Sequence, residues 1–130
     1  RDGLEKRVAR LQQLSSSAQQ HLATRTVAAK VRAVSSRPLA SWPEALRSPF
    51  DPRRDFSLAL LHAERMTRIL ADELIAEVLL EQAQRHPERR PWLERHLDRA
   101  EPRARFLQEE ITTTGARLLG KLAPAPGGER

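Results

Sequence analysis

Apolar residues at Leu4, Val8, Leu11, Ala18 and Leu22 recur at steps of three, four and seven, the spacing of a stripe along one side of a helix. No proline interrupts the chain from Leu4 to about Val34, so the pattern predicts a helix over about 3–35. Ser15 and Arg25 fall where the heptad wants apolar residues, and Val27, Val31 and Val34 resume the stripe on a shifted face. A seam broken in this way predicts a helix that packs on different neighbours along its length rather than a regular two-stranded coiled coil. Ser15, Ser16 and Ser17 weaken it further by propensity.

Prolines at 38, 43, 49 and 52 make residues 36–51 an irregular connector. Within it Ser41 and Glu44 have the spacing of a capping box, predicting a short turn to Leu46. Leu39, Trp42 and Phe50 are then expected to plug the ends of the longer helices. Asp51 before Pro52 reads as a helix start, since proline at the first helical position gives up no bond. A second long helix is expected over about 52–86, its buried stripe running through Phe56, Leu60, Ala63, Leu70 and Leu74. The stripe widens at Ile75, Val78 and Leu79 before Pro87 ends it. About 34 residues at 1.5 Å each make a rod of roughly 50 Å, close to the first helix in length. The two predict an antiparallel hairpin.

Pro87, Pro91 and Pro102 punctuate the stretch beyond it, so two shorter helices are expected at about 91–101 and 103–122. Trp92, Leu93 and Leu97 mark the first; Leu107, Ile111, Leu118 and Leu122 mark the second, which Thr112 to Gly115 weaken. Residues 123–130 lack periodicity and read as a flexible tail. The expectation is an all-α fold: one helical domain over 1–122, built on a long coiled-coil-like hairpin with one or two shorter C-terminal helices.

At 130 residues the chain has room for one modest core. It contains no cysteine, which removes disulfides and thiolate chemistry and fits a reducing compartment. No apolar run approaches the roughly 20 residues of a membrane span. Starting on Arg1 with helical sequence almost at once, it reads as a piece of a longer intracellular polypeptide. His21, His62, His86 and His96 show no zinc-ligand spacing and read as surface or helix-terminal residues. Nucleophile elbows and phosphate-binding loops are missing, and Asp72, Glu73, Glu77 and Glu81 lack the histidine partners of a di-iron helix. The expectation is no enzyme, no cofactor and no metal.

Charge adds a functional signal. Residues 1–37 carry net +6 and residues 57–84 net −3, so the two long helices have opposite sign and favour one another or oppositely charged partners. Arg85, Arg89, Arg90, Arg95 and Arg99 form a cluster that could meet an acidic partner, although interleaved Glu88, Glu94, Asp98 and Glu101 argue for pairing at home and against nucleic acid. Around residues 66–81 apolar side chains exceed what one neighbouring stripe can cover. Met66, Leu70, Glu73, Leu74, Glu77, Val78 and Glu81 are therefore expected to face another protein, helical in form, either a second copy or a different chain. The alternative is a basic nucleic-acid- or microtubule-surface-binding domain.

The run HAERMTRILADELIAEVLLEQAQ, acidic and leucine-rich, resembles helical segments of centrosomal and ciliary scaffold proteins of the moonraker type. It covers residues 62–84 and carries no residue with an assigned role. The resemblance implies a cytoplasmic scaffold, at centrosome or cilium, that recruits other coiled-coil proteins.

Overall fold

The structure, a computed structural model, describes residues 3–47 and 57–122, with side chains at all but 46, 116, 119 and 122. Every regular element among them is helical. Helix α1 spans Gly3–Ser35, and a tight turn at Leu39–Ser41 leads into α2, Trp42–Arg47. Then come α3, Ser57–Leu61, and α4, Ala63–Arg85; a turn at Pro87–Arg89 opens α5, Arg90–Thr113, followed by α6, Gly115–Leu122. The expected helix start at Asp51 and Pro52, the roles given to Phe50 and Phe56, and the tail lie outside the described residues.

The fold is all-α, and its framework is a bundle of three long helices, α1, α4 and α5, each packed on the other two. Where a hairpin with shorter appendages was expected, the C-terminal segment supplies a full third wall. Pro102 does not divide it: α5 runs through the proline. The reason lies in the buried stripe Leu93, Leu97, Ala100, Ala104, Leu107 and Ile111, which continues in step on both sides while Pro102 faces solvent. Proline inside a helix costs about 3 kcal/mol. Burial of a single leucine returns about 1.5–3 kcal/mol, and three leucines lie on this stripe.

On α1 the positions Leu4, Val8, Leu11, Ser15, Ala18 and Leu22 are all buried, so one register holds across Ser15, contrary to the expected break there. A serine is small enough to fit the seam, and its Oγ accepts a hydrogen bond from Gln19 Nε2 at 3.1 Å. Register is lost beyond Leu22. Val27 and Val31 are more than half exposed, and Val34 returns to the interior.

The connector departs from expectation in its details. Ser41 donates its hydroxyl to the Pro38 carbonyl at 2.8 Å, closing the turn before α2. Trp42 is half-buried with Nε1 on the Arg37 carbonyl at 3.0 Å, whereas Leu39 is 74% exposed and plugs nothing.

Two hydrophobic clusters fill the bundle. Leu4, Val8, Leu11, Ala76, Ala83, Leu93, Leu97, Ala100 and Ala104 occupy one end, where Leu14, Leu79 and Leu80 pack against them. Ala18, Leu22, Leu58, Met66, Ile69, Leu107 and Ile111 form the other. At this second end the helices are interrupted. The expected single helix over 52–86 opens at His62 (φ −102°, ψ 5°), bridged by bonds from His62 N–H to the Leu58 carbonyl and from Met66 N–H to that of His62. Hydroxyls of Thr112, Thr113 and Thr114 turn back onto carbonyls of the preceding turn, a competition that bends helices, and α5 gives way to α6 just there.

Candidate functional site

Helix α4 turns an unexpected face inward. Its buried positions are Met66, Ile69, Asp72, Ala76 and Ala83, continuing Leu58 and His62 at three- and four-residue steps. The stripe expected inside, Leu60, Ala63, Leu70 and Leu74, is exposed. Leu70 (41% exposed), Leu74 (61%), Ile75 (47%) and Val78 (46%) stand on the solvent side instead. At 100° per residue they span an arc of about 140°. The inversion has a packing cause. Alanines at 76 and 83 meet Ala100 and Ala104 in the same cluster, letting backbones approach where leucines would hold them apart.

Of the residues predicted for a partner-binding face, Leu70, Leu74 and Val78 come together on this outer surface, with Ile75 among them. Met66 does not belong to it, being 9% exposed and part of the second core cluster. Glu73 is half-buried, with one carboxylate oxygen lacking a hydrogen-bond partner. Glu77 accepts a bond from Gln12 Nε2 of α1 at 2.7 Å, and Glu81 pairs with Arg85 at 2.6 Å. Glu64 and Arg68 form a matching exposed pair at 2.8 Å near the opposite end.

The predicted arginine cluster is dispersed. Arg85 is bound to Glu81; Arg89 donates to Gln82 at 3.0 Å and sits 5.9 Å above the Trp92 ring. Arg90 lines a shallow groove between α1 and α5 with Arg7, Glu94 and Asp98, while Arg95 and Arg99 are exposed on α5. Other arginines are built into the framework. Arg103 makes a two-pronged contact with buried Asp72 at 2.8 and 2.6 Å, and His96 Nε2 meets the Asp72 carbonyl at 2.9 Å. Arg7 joins Asp98 at 2.9 Å and Glu101 at 3.1 Å, with Arg10 and Arg105 farther from the same buried carboxylate. The hydrogen bond to Glu101 raises the Arg7 pKa, with desolvation working against it. Thus two basic side chains of α1, Arg7 and Arg10, are met by carboxylates of α5, and the contacts of α1 with α4 include the hydrogen bonds from Gln12 to Glu77 and from Gln84 to Glu5.

No family model, curated protein or solved structure matches the chain. What it can do chemically rests on its own surfaces. Among the described residues no three His, Asp or Glu side chains gather as metal ligands. Among the same residues, no helix is long and apolar enough to cross a membrane.

Two framework features escape a reading of the sequence alone. Asp72, which reads there as a solvated carboxylate, is the buried anchor of Arg103. His62, expected at a surface or helix end, is fully buried, and neither ring nitrogen has a hydrogen-bond partner. Burial is the main cause of its lowered pKa; Arg65 and His21 add to the effect and Glu110 opposes it. The 58, 62, 66, 69 spacing, followed without regard to polarity, would have placed both His62 and Met66 inside.

Proposed function

We propose that this chain is a protein-interaction module that packs the outer face of α4 against a helix carrying an apolar stripe of its own. Carrying this reading is the placement of Leu70, Leu74, Ile75 and Val78 together in solvent while alanines of the same helix occupy the core. Monomers seldom leave contiguous apolar surface of this kind uncovered. Ordered ion pairs flank the strip, as at the polar rim of an interface. A scaffold role, at centrosome or cilium as the resemblance of residues 62–84 implies, belongs to the same proposal.

A single cysteine at Leu74, in a chain that otherwise has none, gives a unique labelling site for a polarity-sensitive dye. Binding of a partner at this face should move the dye's emission to the blue. The variant Leu74→Glu/Val78→Glu should keep its melting temperature and lose the partner. Partner binding by that folded variant at wild-type strength would discard the face. The surface-binding alternative for the arginines receives less support, because Arg89 is bound to Gln82 and Arg103 to buried Asp72 of this chain.

A further inference from the structure

Resting on the α4 reading just given, a more specific occupant can be argued from the charges that bracket the strip. Glu64 and Arg85 lie three heptads apart, so on a helix in a two-stranded pairing they occupy the same angular position. Their midpoint falls between Leu74 and Ile75, in the middle of the exposed apolar patch. A surface centred in this way is self-complementary in one arrangement. A second copy, running antiparallel about a two-fold axis through that midpoint, sets Glu64 opposite Arg85 at both ends. Within those ends Ala71 meets Val78, and Leu74 meets Ile75 on either side of the axis. A two-fold interface requires that residue i meet j while j meets i, and the order of residues 64–85 satisfies this in charge and size together. A parallel copy would set Glu64 against Glu64 and Arg85 against Arg85.

We propose that the outer face of α4 is a homodimer interface, two copies of the chain packing α4 against α4 antiparallel about Leu74 and Ile75. The charges already stand ready for exchange. Glu64 is paired with Arg68 and Arg85 with Glu81 on the same helix, with side chains 60–78% exposed in these pairs. Exposed ion pairs of this kind hold by less than about 1 kcal/mol, so each can turn to the partner copy with little loss. The four charges sum to zero, and two copies of a basic chain therefore meet here on a locally neutral surface. Ala71, between the flanking leucines, lets the two helices come close.

Sedimentation of the 130-residue chain reads the proposal directly. The wild type should form a dimer, and Leu74→Glu, which sets two carboxylates close to the two-fold axis, should be a monomer whose melting temperature equals that of wild type diluted until it is monomeric. Glu64→Arg and Arg85→Glu should each dissociate at least about tenfold more readily, by placing like charges at both ends. Mixed in equal amounts, these two variants should form a heterodimer of near wild-type strength, since each end again holds opposite charges. Cysteine pairs fix the direction: Ala71→Cys mixed with Val78→Cys should cross-link, and either variant alone should not. A monomeric wild type, a dimer that survives Leu74→Glu, or variants that fail to find each other on mixing would each overturn self-pairing. A monomeric wild type whose Leu74→Glu/Val78→Glu variant still loses a different partner would overturn the homodimer alone and leave the interaction module standing. Unchanged partner binding would remove both.

Discussion

The two faces of α4 reverse the usual division of labour. Inside stand His62, Asp72, Ala76 and Ala83 beside Met66 and Ile69; outside stand Leu70, Leu74, Ile75 and Val78. Residues of the same aliphatic class thus serve the framework at Ile69 and lie open to solvent one residue later, at Leu70. The difference shows that hydrophobicity along a helix does not by itself say which side is the core. Small side chains were chosen where three helices converge, polar ones where an ion pair could be closed, and the large aliphatic ones were left outside. A surface so composed is costly to leave open, and for that reason informative.

Substitutions should separate the faces. The largest stability loss on α4 is expected from Ile69→Ala, a fully buried truncation that should cost about 2–5 kcal/mol; denaturant midpoints at constant slope would measure it, and a loss under 1 kcal/mol would contradict the packing described. Asp72→Asn should come next. It leaves one neutral acceptor, so one bond from Arg103 is lost and the other no longer meets a charge; because the Arg103 side chain is 45% exposed and can rehydrate, the cost is about 1–3 kcal/mol.

A third prediction uses pH. His62 is neutral in the fold, with its pKa lowered from the ordinary 6.5, so the unfolded chain takes up the proton first on acidification. Stability from this residue is complete above about pH 6.5 and declines as the pH falls below it. Thermal melts at pH 7.5 and 5.5 should show a drop for the wild type that is smaller in His62→Leu, with other titrating groups common to both. An equal drop in both would dismiss His62 as its source.

The smallest effect belongs to the outside. Leu74→Ser should change stability by no more than about 0.5 kcal/mol, as urea titration of a dilute, monomeric sample would show. A large loss there would mean that Leu74 serves the fold after all.

These two faces also explain what could be seen in the sequence. The all-α class and α1 were legible because Leu4, Val8, Leu11, Ala18 and Leu22 follow helical spacing with no proline among them. Ser15 looked like a defect because its polarity was weighed and its volume was not. Pro102 looked like a boundary because the local cost of proline was visible and the burial spanning it, Leu93 to Ile111, was a property of the assembled bundle. The excess of apolar residues around Leu70, Leu74 and Val78 was legible in the sequence. Their angular position was not, because periodicity alone favours the biggest residues facing inward. Asp72 with Arg103 and Glu101 with Arg7 depend on helices far apart in the chain, so their pairing carries no local signature.

At Gly115 a methyl group would collide with the His62 ring and with Leu58. Leu58, His62 and Gly115 therefore share one fixed allotment of space although Gly115 lies more than fifty residues along the chain from the other two. Bulk added at one of them has to be removed at another, so Gly115→Ala should be tolerated far better alongside His62→Ser than alone. Variation at these three sites is in this sense reciprocal, and the hydrogen on one α-carbon sets how large a ring the far end of the bundle can enclose.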